Sequence, residues 1–148
     1  MGTLRYSVWI DASPGEVWAV FTDLDRIPEW QTGAPRVAEA SGPGDAVGSA
    51  YTVRRGPMGS RTTVTVAEAP TRYASHTDAA LGLKFDLLAD LVAEHDGTRL
   101  RLEARTHWPK VLRLLGRLVE AAFLNPREAE KELANLKALV ERDARAEL

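Results

Sequence analysis

The sequence predicts an α+β domain in which a curved antiparallel sheet of about six to seven strands wraps a long C-terminal helix. Three observations predict it. The order of patterns is one strand, two short helices, about six strands and one long helix, and runs of strands flanked by helices favour an antiparallel sheet. From Leu83 to Trp108 apolar and charged residues alternate, which gives a sheet with one dry face and one wet face. The apolar stripe from Val111 to Val140 then belongs to the only element long enough to cover the dry face.

Each element has its own signal. Tyr6, Val8 and Ile10 alternate with Ser7, Trp9 and Asp11, as in a strand. Ser13 is a good N-cap, Pro14 suits the first helical position, and Glu16 completes a capping box, so a helix should run from about Pro14 to Thr22. Its apolar face carries Val17, Trp18 and Phe21. A second short helix is expected over Asp25–Trp30. Arg36–Glu39 reads as a short strand, 41–45 as a loop, and Ser49–Arg55 as a strand. Gly56-Pro57-Met58-Gly59 is a turn signal, so 49–67 should form a hairpin. Arg61–Ala67 is rich in Thr and Val, as strands prefer. A corner at 68–71 leads to a strand over Arg72–Asp78. Asp96-Gly97 marks the turn between the two most strongly alternating strands. Asn125-Pro126 should interrupt the final helix, which continues through Ala129, Leu133, Leu136 and Val140.

The bulk numbers exclude several classes. At 148 residues the chain has the size of a single domain, and no repeat or linker divides it. Its 19 basic and 21 acidic residues leave a net charge of −2, so no global field favours nucleic acid. There is no cysteine, hence no disulfide framework and no thiolate chemistry. No secretory leader and no apolar run long enough for a membrane span are evident, which predicts a soluble cytoplasmic protein. The three histidines, 76, 95 and 107, are scattered, so no metal and no cofactor are expected. No Gly-x-Ser-x-Gly elbow or phosphate-binding loop is present.

Four segments resemble the START-like superfamily, also called SRPBCC, and within it the bacterial polyketide cyclase/dehydrase-like and lipid-transport-like proteins. They are Val8-Trp-Ile-Asp-Ala-Ser-Pro-Gly-Glu-Val-Trp18, Thr22-Asp-Leu-Asp-Arg-Ile-Pro-Glu-Trp30, Asp96-Gly-Thr98 with the alternating strand after it, and Glu132-Leu-Ala-Asn-Leu-Lys-Ala-Leu-Val-Glu141. The resemblance spans about Arg5 to Glu141. It implies the helix-grip architecture and a cavity between the sheet and the long helix. Relatives of this kind include carriers of lipids and hormones, polyketide cyclases and aromatases, and activators of a chaperone ATPase. The fold alone does not choose among them.

The cavity is expected to be almost wholly apolar. Val8, Tyr51, Val53, Val64, Val66, Phe85, Leu87, Leu102 and Ala104 should line the concave face. Trp30 and Trp108 would stand at its ends, and Leu115, Val119 and Ala122 on the helix would close it. Two polar side chains could reach inside. His76 could orient a ligand or move a proton, or else sit solvated on the outer face. One of Arg54 and Arg55, with Arg55 favoured, could meet a ligand carboxylate or phosphate. Alternation puts Trp9 on the wet face, where it either marks a dimer contact or leans over its neighbours. The expected ligand is a hydrophobic small molecule, lipid-, polyketide- or aromatic-like, bound by a monomer or homodimer. A polyketide cyclase, aromatase or dehydratase is the enzymatic alternative, with His76, Asp78, Tyr73 or Arg55 as the acid or base. A protein-interaction module is the third reading.

Overall fold

The computed structural model describes residues 2–110, 115 and 125–146. Strand β1 (Gly2–Ile10) leads into helix α1 (Pro14–Phe21), a 3-10 turn over Leu24–Arg26 and helix α2 (Ile27–Trp30). Six more strands follow: β2 (Arg36–Ser41), β3 (Ala50–Arg55), β4 (Met58–Glu68), β5 (Arg72–Asp78), β6 (Lys84–Glu94) and β7 (Gly97–His107). Helix α3 (Pro126–Ala146) ends the described chain. The strands form one seven-stranded antiparallel sheet in the order β1-β7-β6-β5-β4-β3-β2. It is an open curved sheet with a C-terminal helix and two short helices after the first strand, the α+β helix-grip arrangement.

Local chemistry explains the elements. The Ser13 hydroxyl accepts from the Glu16 N–H at 3.2 Å, and the Glu16 carboxylate accepts from the Ser13 N–H at 3.2 Å, so the capping box is closed in both directions. Asn125 opens α3: its side-chain oxygen accepts from Arg127 N at 3.0 Å, and Pro126 takes the position where no N–H is needed. The interruption expected at Asn125-Pro126 is therefore a helix start. The stripe from Val111 to Phe123, Leu115 excepted, lies outside the described residues.

The hairpin between β6 and β7 turns on His95 and Asp96, with φ of 48° and 62°, so the turn sits one residue earlier than Asp96-Gly97. Gly97 is already strand, paired with Glu94. It is required for closeness. A Cβ on it would meet the Ile10 carbonyl oxygen at 2.5 Å and the Trp9 ring at 2.6 Å. Trp9 lies across this glycine and donates its indole N–H to the Glu94 carbonyl at 2.8 Å. The Lys137 ammonium stands 5.2 Å from its ring centre. Trp9 thus leans over its neighbours, and its surface is used within the chain.

The core gathers at one end of the sheet. Ile10, Val17, Leu100 and Leu136 are fully enclosed, with Val64, Ala89, Leu91, Leu102, Leu133 and Val140 around them. Each fully buried aliphatic side chain there contributes about 1.5–3 kcal/mol. Helix α3 makes its closest approaches to β1, α2 and α1. It is tied there by the Arg26–Asp143 ion pair, by Asp11 N donating to Glu141 at 3.0 Å, and by Lys137 donating to the Trp9 carbonyl at 3.0 Å. Among the described residues, β3, β4 and β5 have no comparably close helix over their concave face. A second, smaller apolar cluster of Leu24, Ile27, Tyr51 and Val53 occupies that side.

Candidate functional site

The space left between α2, α3 and strands β3–β7 is a cavity of about 500 Å³. That volume is within the range of pockets that enclose small organic ligands. Its apolar wall comes from three sources. Helix α1 and the turn after it supply Phe21 and Leu24, α2 supplies Ile27 and Trp30, and the sheet supplies Val53, Phe85, Leu87 and Ala104. Phe21 and Trp30 stack at 5.9 Å between ring centres. Trp30 is 6% exposed, and its indole N–H is buried without a hydrogen-bond partner. A buried donor left without an acceptor carries a desolvation cost.

A polar stripe crosses this wall. Strand alternation and register bring Tyr51 of β3 opposite Thr62 of β4, and Thr62 opposite Thr77 of β5. The Thr62 and Thr77 hydroxyls bond at 2.8 Å. Tyr73 and Ser75 continue the row along β5, and all five residues line the cavity. Tyr51 and Tyr73 stand on the same wall as this bonded pair, with Ser75 between Tyr73 and Thr77 along β5. The Tyr73 ring is fixed edge-on by Phe21 at 5.2 Å and Trp18 at 6.3 Å. Burial pushes both phenols above their ordinary range, so both keep their protons at any physiological pH.

Charged groups stand at the rim. Arg55 donates from Nε to the Thr32 carbonyl at 3.1 Å and from Nη2 to the Gln31 side chain at 2.6 Å. The Thr32 N–H and hydroxyl both donate to Glu132 of α3, at 3.1 and 2.9 Å. The 31–33 segment therefore bridges sheet and helix. Gly33 makes this possible with φ of 83°, and a Cβ there would meet Arg55 Cδ at 3.0 Å. Nearby, burial and then the Glu132 charge push the Tyr6 hydroxyl up to about 12.

The residues expected on the wall divide. Trp30, Tyr51, Val53, Arg55, Phe85, Leu87 and Ala104 do line the cavity. Arg54 faces outward and pairs with Glu39 at 3.2 Å, so the inward arginine is Arg55. Val8, Val64 and Leu102 belong to the packed core, because they face α1 and α3 where the layers touch. Val66 is turned to the outer face. A register shift between Val64 and Val66 adds one residue, which reverses the alternation and brings Ala67 inward. Trp108 lies beyond the last residue of β7, off the strand alternation and off the wall. Leu115 is half-exposed and off the wall, while Val119 and Ala122 lie outside the described residues.

His76 faces outward, not into the cavity. Its Nδ1 bonds the Asp86 carboxylate at 2.7 Å and its Nε2 bonds Asp78 at 3.2 Å, while His107 takes the other Asp86 oxygen at 3.0 Å. Asp86, followed by Asp78, raises the His76 pKa. Burial works against the Asp86 charge, but the two imidazoles outweigh it and lower its pKa. Among the described residues no group of three or more His, Asp or Glu is arranged to hold a metal ion, and no helix is long and apolar enough to cross a membrane. Sequence reasoning left the facing of β5 open and missed Thr62, Gln31, Thr32 and Glu132. Tyr73 next to Ser75 and Thr77 was the available signal, since a buried aromatic fixes the side of its strand.

Comparisons with known proteins agree with this geometry. The family model described as polyketide cyclase / dehydrase and lipid transport matches residues 1–141. No curated protein matches the chain. Among solved structures, a protein from Mesorhizobium loti superposes with a TM-score of 0.72 at 20% identity, covering 95% of this chain and 98% of that one. Norcoclaurine synthase from Thalictrum flavum, as a point mutant in complex with a transition-state analogue, superposes with a TM-score of 0.72 at 14% identity, covering 96% and 95%. DynU16, from the dynemicin biosynthetic locus, gives 0.67 at 19% identity, covering 96% of this chain and 48% of that one. At such identities these structures share a fold with the chain.

Proposed function

We propose that this chain, which belongs to the polyketide cyclase/dehydrase and lipid transport family, binds a hydrophobic small molecule in the cavity between its sheet and α3. The observation that carries the reading is the 500 Å³ cavity walled by Phe21, Leu24, Ile27, Trp30, Val53, Phe85 and Leu87. An apolar concavity of this size with a few convergent polar groups is the ordinary form of a small-molecule site. Burial of apolar ligand surface supplies affinity at roughly 25 cal/mol per Å², and the hydroxyl row supplies orientation.

A neutral apolar fluorophore, N-phenyl-1-naphthylamine, tests this. It should brighten on binding with saturable 1:1 uptake. Ala104→Phe, which places a ring in the cavity, should abolish uptake while the protein stays folded by circular dichroism. Uptake unchanged in Ala104→Phe would place the fluorophore elsewhere and defeat the reading. Native mass spectrometry of protein from its own host should find a retained small molecule.

A cyclase- or dehydratase-type activity is the second reading. It is favoured by Tyr73 and Arg55 on the cavity wall, where the proton donor and the charge would meet a bound substrate. His76 and Asp78 drop out of that role, because both lie on the outer face. The interaction-module reading keeps the charged outer face of the sheet as its motive and loses Trp9, which packs within the chain.

A further inference from the structure

The two edges of the sheet are built differently. Strand β2 is short and broken: its register against β3 shifts between Ala38 and Ser41, and Glu39 within that shift has φ of 52°. Arg61 donates to the Glu39 carbonyl at 2.7 Å. A bulge of this kind spoils an edge as a template for another strand. Strand β1, at the opposite edge, runs nine residues in unbroken register with β7 and contains no proline. Its one charged side chain is Arg5, and Thr3, Arg5 and Ser7 are exposed. A long, regular edge with a single charge is a ready template.

Three contacts fix which main-chain groups of β1 lie on its free side. Gly2 N–H donates to the Thr106 hydroxyl at 3.2 Å, and its carbonyl accepts from the same hydroxyl at 3.3 Å. The Ile10 carbonyl lies against Gly97, where a Cβ would come within 2.5 Å of it. Even-numbered residues therefore face β7. The Trp9 carbonyl instead accepts from Lys137 of α3 at 3.0 Å. Neighbouring residues of a strand bond to opposite sides, so the N–H and C=O groups of Thr3, Arg5 and Ser7 point away from β7. Among the described residues, Lys137 alone bonds a main-chain group in that outward row.

We propose that β1 pairs antiparallel with β1 of a second copy of this chain, about a twofold axis at Tyr6, giving one continuous sheet with seven strands from each copy. Only odd-numbered residues carry outward groups, so the hydrogen-bonded pairs across the seam must join odd to odd. Centring on Arg5 would set two arginines directly opposite, which is unfavourable. Centring on Tyr6 sets Arg5 opposite the partner's Ser7, and it is the register that overlaps the whole strand. Leu4 then faces the partner's Val8 on the concave side, and both are half-buried side chains with surface still to cover. Lys137 holds the Trp9 carbonyl, so the ladder consists of the two Arg5–Ser7 pairs, about four main-chain bonds in all. The contact is isologous and closes at two copies, because the other edge of each copy is bulged.

Analytical ultracentrifugation of the full chain at up to about 500 µM tests this, a range suited to an interface of the small, weak class. The wild-type protein should show a monomer–dimer equilibrium. Ser7→Glu sets a carboxylate opposite Arg5 at both ends of the seam and should tighten the dimer about fivefold, while Ser7→Lys should weaken it about as much. Ser7→Pro removes an outward N–H, leaves the β1–β7 ladder its bonds, and should abolish the dimer. The chain has no cysteine, so disulfide trapping reads the register. Hydrogen-bonded strand partners lie about 5.5 Å apart at Cα, within disulfide range. A mixture of Arg5→Cys and Ser7→Cys proteins should therefore cross-link on air oxidation far more than Arg5→Cys protein alone. A wild-type protein that stays monomeric throughout, or a dimer indifferent to both Ser7→Glu and Ser7→Lys, would overturn the proposal. So would cross-linking of Arg5→Cys protein alone as strong as that of the mixture.

Discussion

Replacing Gly97 by alanine tests the seam between the first strand and the last. The added methyl would lie 2.5 Å from the Ile10 carbonyl oxygen and 2.6 Å from a Trp9 ring carbon. Ordinary van der Waals contact needs about 3.5 Å. The Trp9 ring could swing aside only by losing its 2.8 Å bond to the Glu94 carbonyl. The Ile10 oxygen cannot swing at all, because β1 is held in register with β7 from Gly2↔Thr106 to Ile10↔Thr98. Forcing extra volume into a packed site costs about 1–3 kcal/mol, and a backbone obstacle places this case at the upper end, about 3 kcal/mol. At roughly 2–4 °C per kcal/mol for a chain of this length, Tm should fall by about 6–12 °C. Differential scanning calorimetry reads this directly. The control is Gly59→Ala, where the nearest atom is Arg54 Nη1 at 3.8 Å and the backbone is not left-handed. It should leave Tm unchanged or raise it slightly, because alanine narrows the unfolded ensemble. A fall of less than about 2 °C for Gly97→Ala would refute the close approach of Trp9 and Ile10 from which the magnitude is derived.

The register shift in β4 predicts opposite outcomes for two neighbouring valines. Val64→Thr buries a hydroxyl in the core and should cost about 1–3 kcal/mol in urea unfolding, whereas Val66→Thr, on the outer face, should stay within about 0.5 kcal/mol. Ser13→Ala removes the cap of α1 and should cost about 1 kcal/mol in the same measurement. The His76–Asp86 pair makes stability depend on pH. Because its partners raise the His76 pKa in the folded protein, the contribution is full below the unfolded value of about 6.5 and is lost as pH rises through the higher folded value. Asp86, held low, contributes above about pH 4 and loses this as pH falls through its folded value. His76→Gln should therefore lower Tm more at pH 5.5 than at pH 8.5, and an equal loss at both would contradict the pairing.

Periodicity made the sheet legible wherever one face is dry and the other wet. Leu83, Phe85, Leu87, Ala89 and Leu91 alternate with Lys84, Asp86, Leu88 and Asp90, three of the four charged, because water and core are separated there by one strand thickness. Ser13-Pro14 located α1 because capping is a local interaction. What escaped depends on pairing between distant segments. The reversal at Val66 comes from one extra residue in β4 measured against β5, and β4 alone reads as uninterrupted alternation. The turn at His95-Asp96 was displaced by one position because Asp96-Gly97 is the stronger local signal. Gly97 is reserved for Trp9, a constraint that only the tertiary structure contains. The rim bridge of Arg55, Thr32 and Glu132 joins residues up to 100 positions apart, and no spacing rule connects them. The inward facing of Tyr73 follows from its partners Ala67 and Ala89 across the sheet.

The strand order has a kinetic consequence. Strands β2 to β7 each pair with their sequence neighbour, so that meander can assemble hairpin by hairpin from local encounters. The first strand is different, because its partner is the last. Gly2 bonds Thr106 across 104 residues, and closing a loop of that length costs about 4 kcal/mol of chain entropy plus a constant. Strand β1, made before the other six, must wait for the last of them before it can add its edge. Until then β7 is an unpaired edge of alternating Arg and Leu. Its outward Arg99, Arg101 and Arg105 supply the charge that keeps such an edge from pairing with another chain. Docking of β1 should therefore be the slow, late event of folding, with its rate set by the length of the detour.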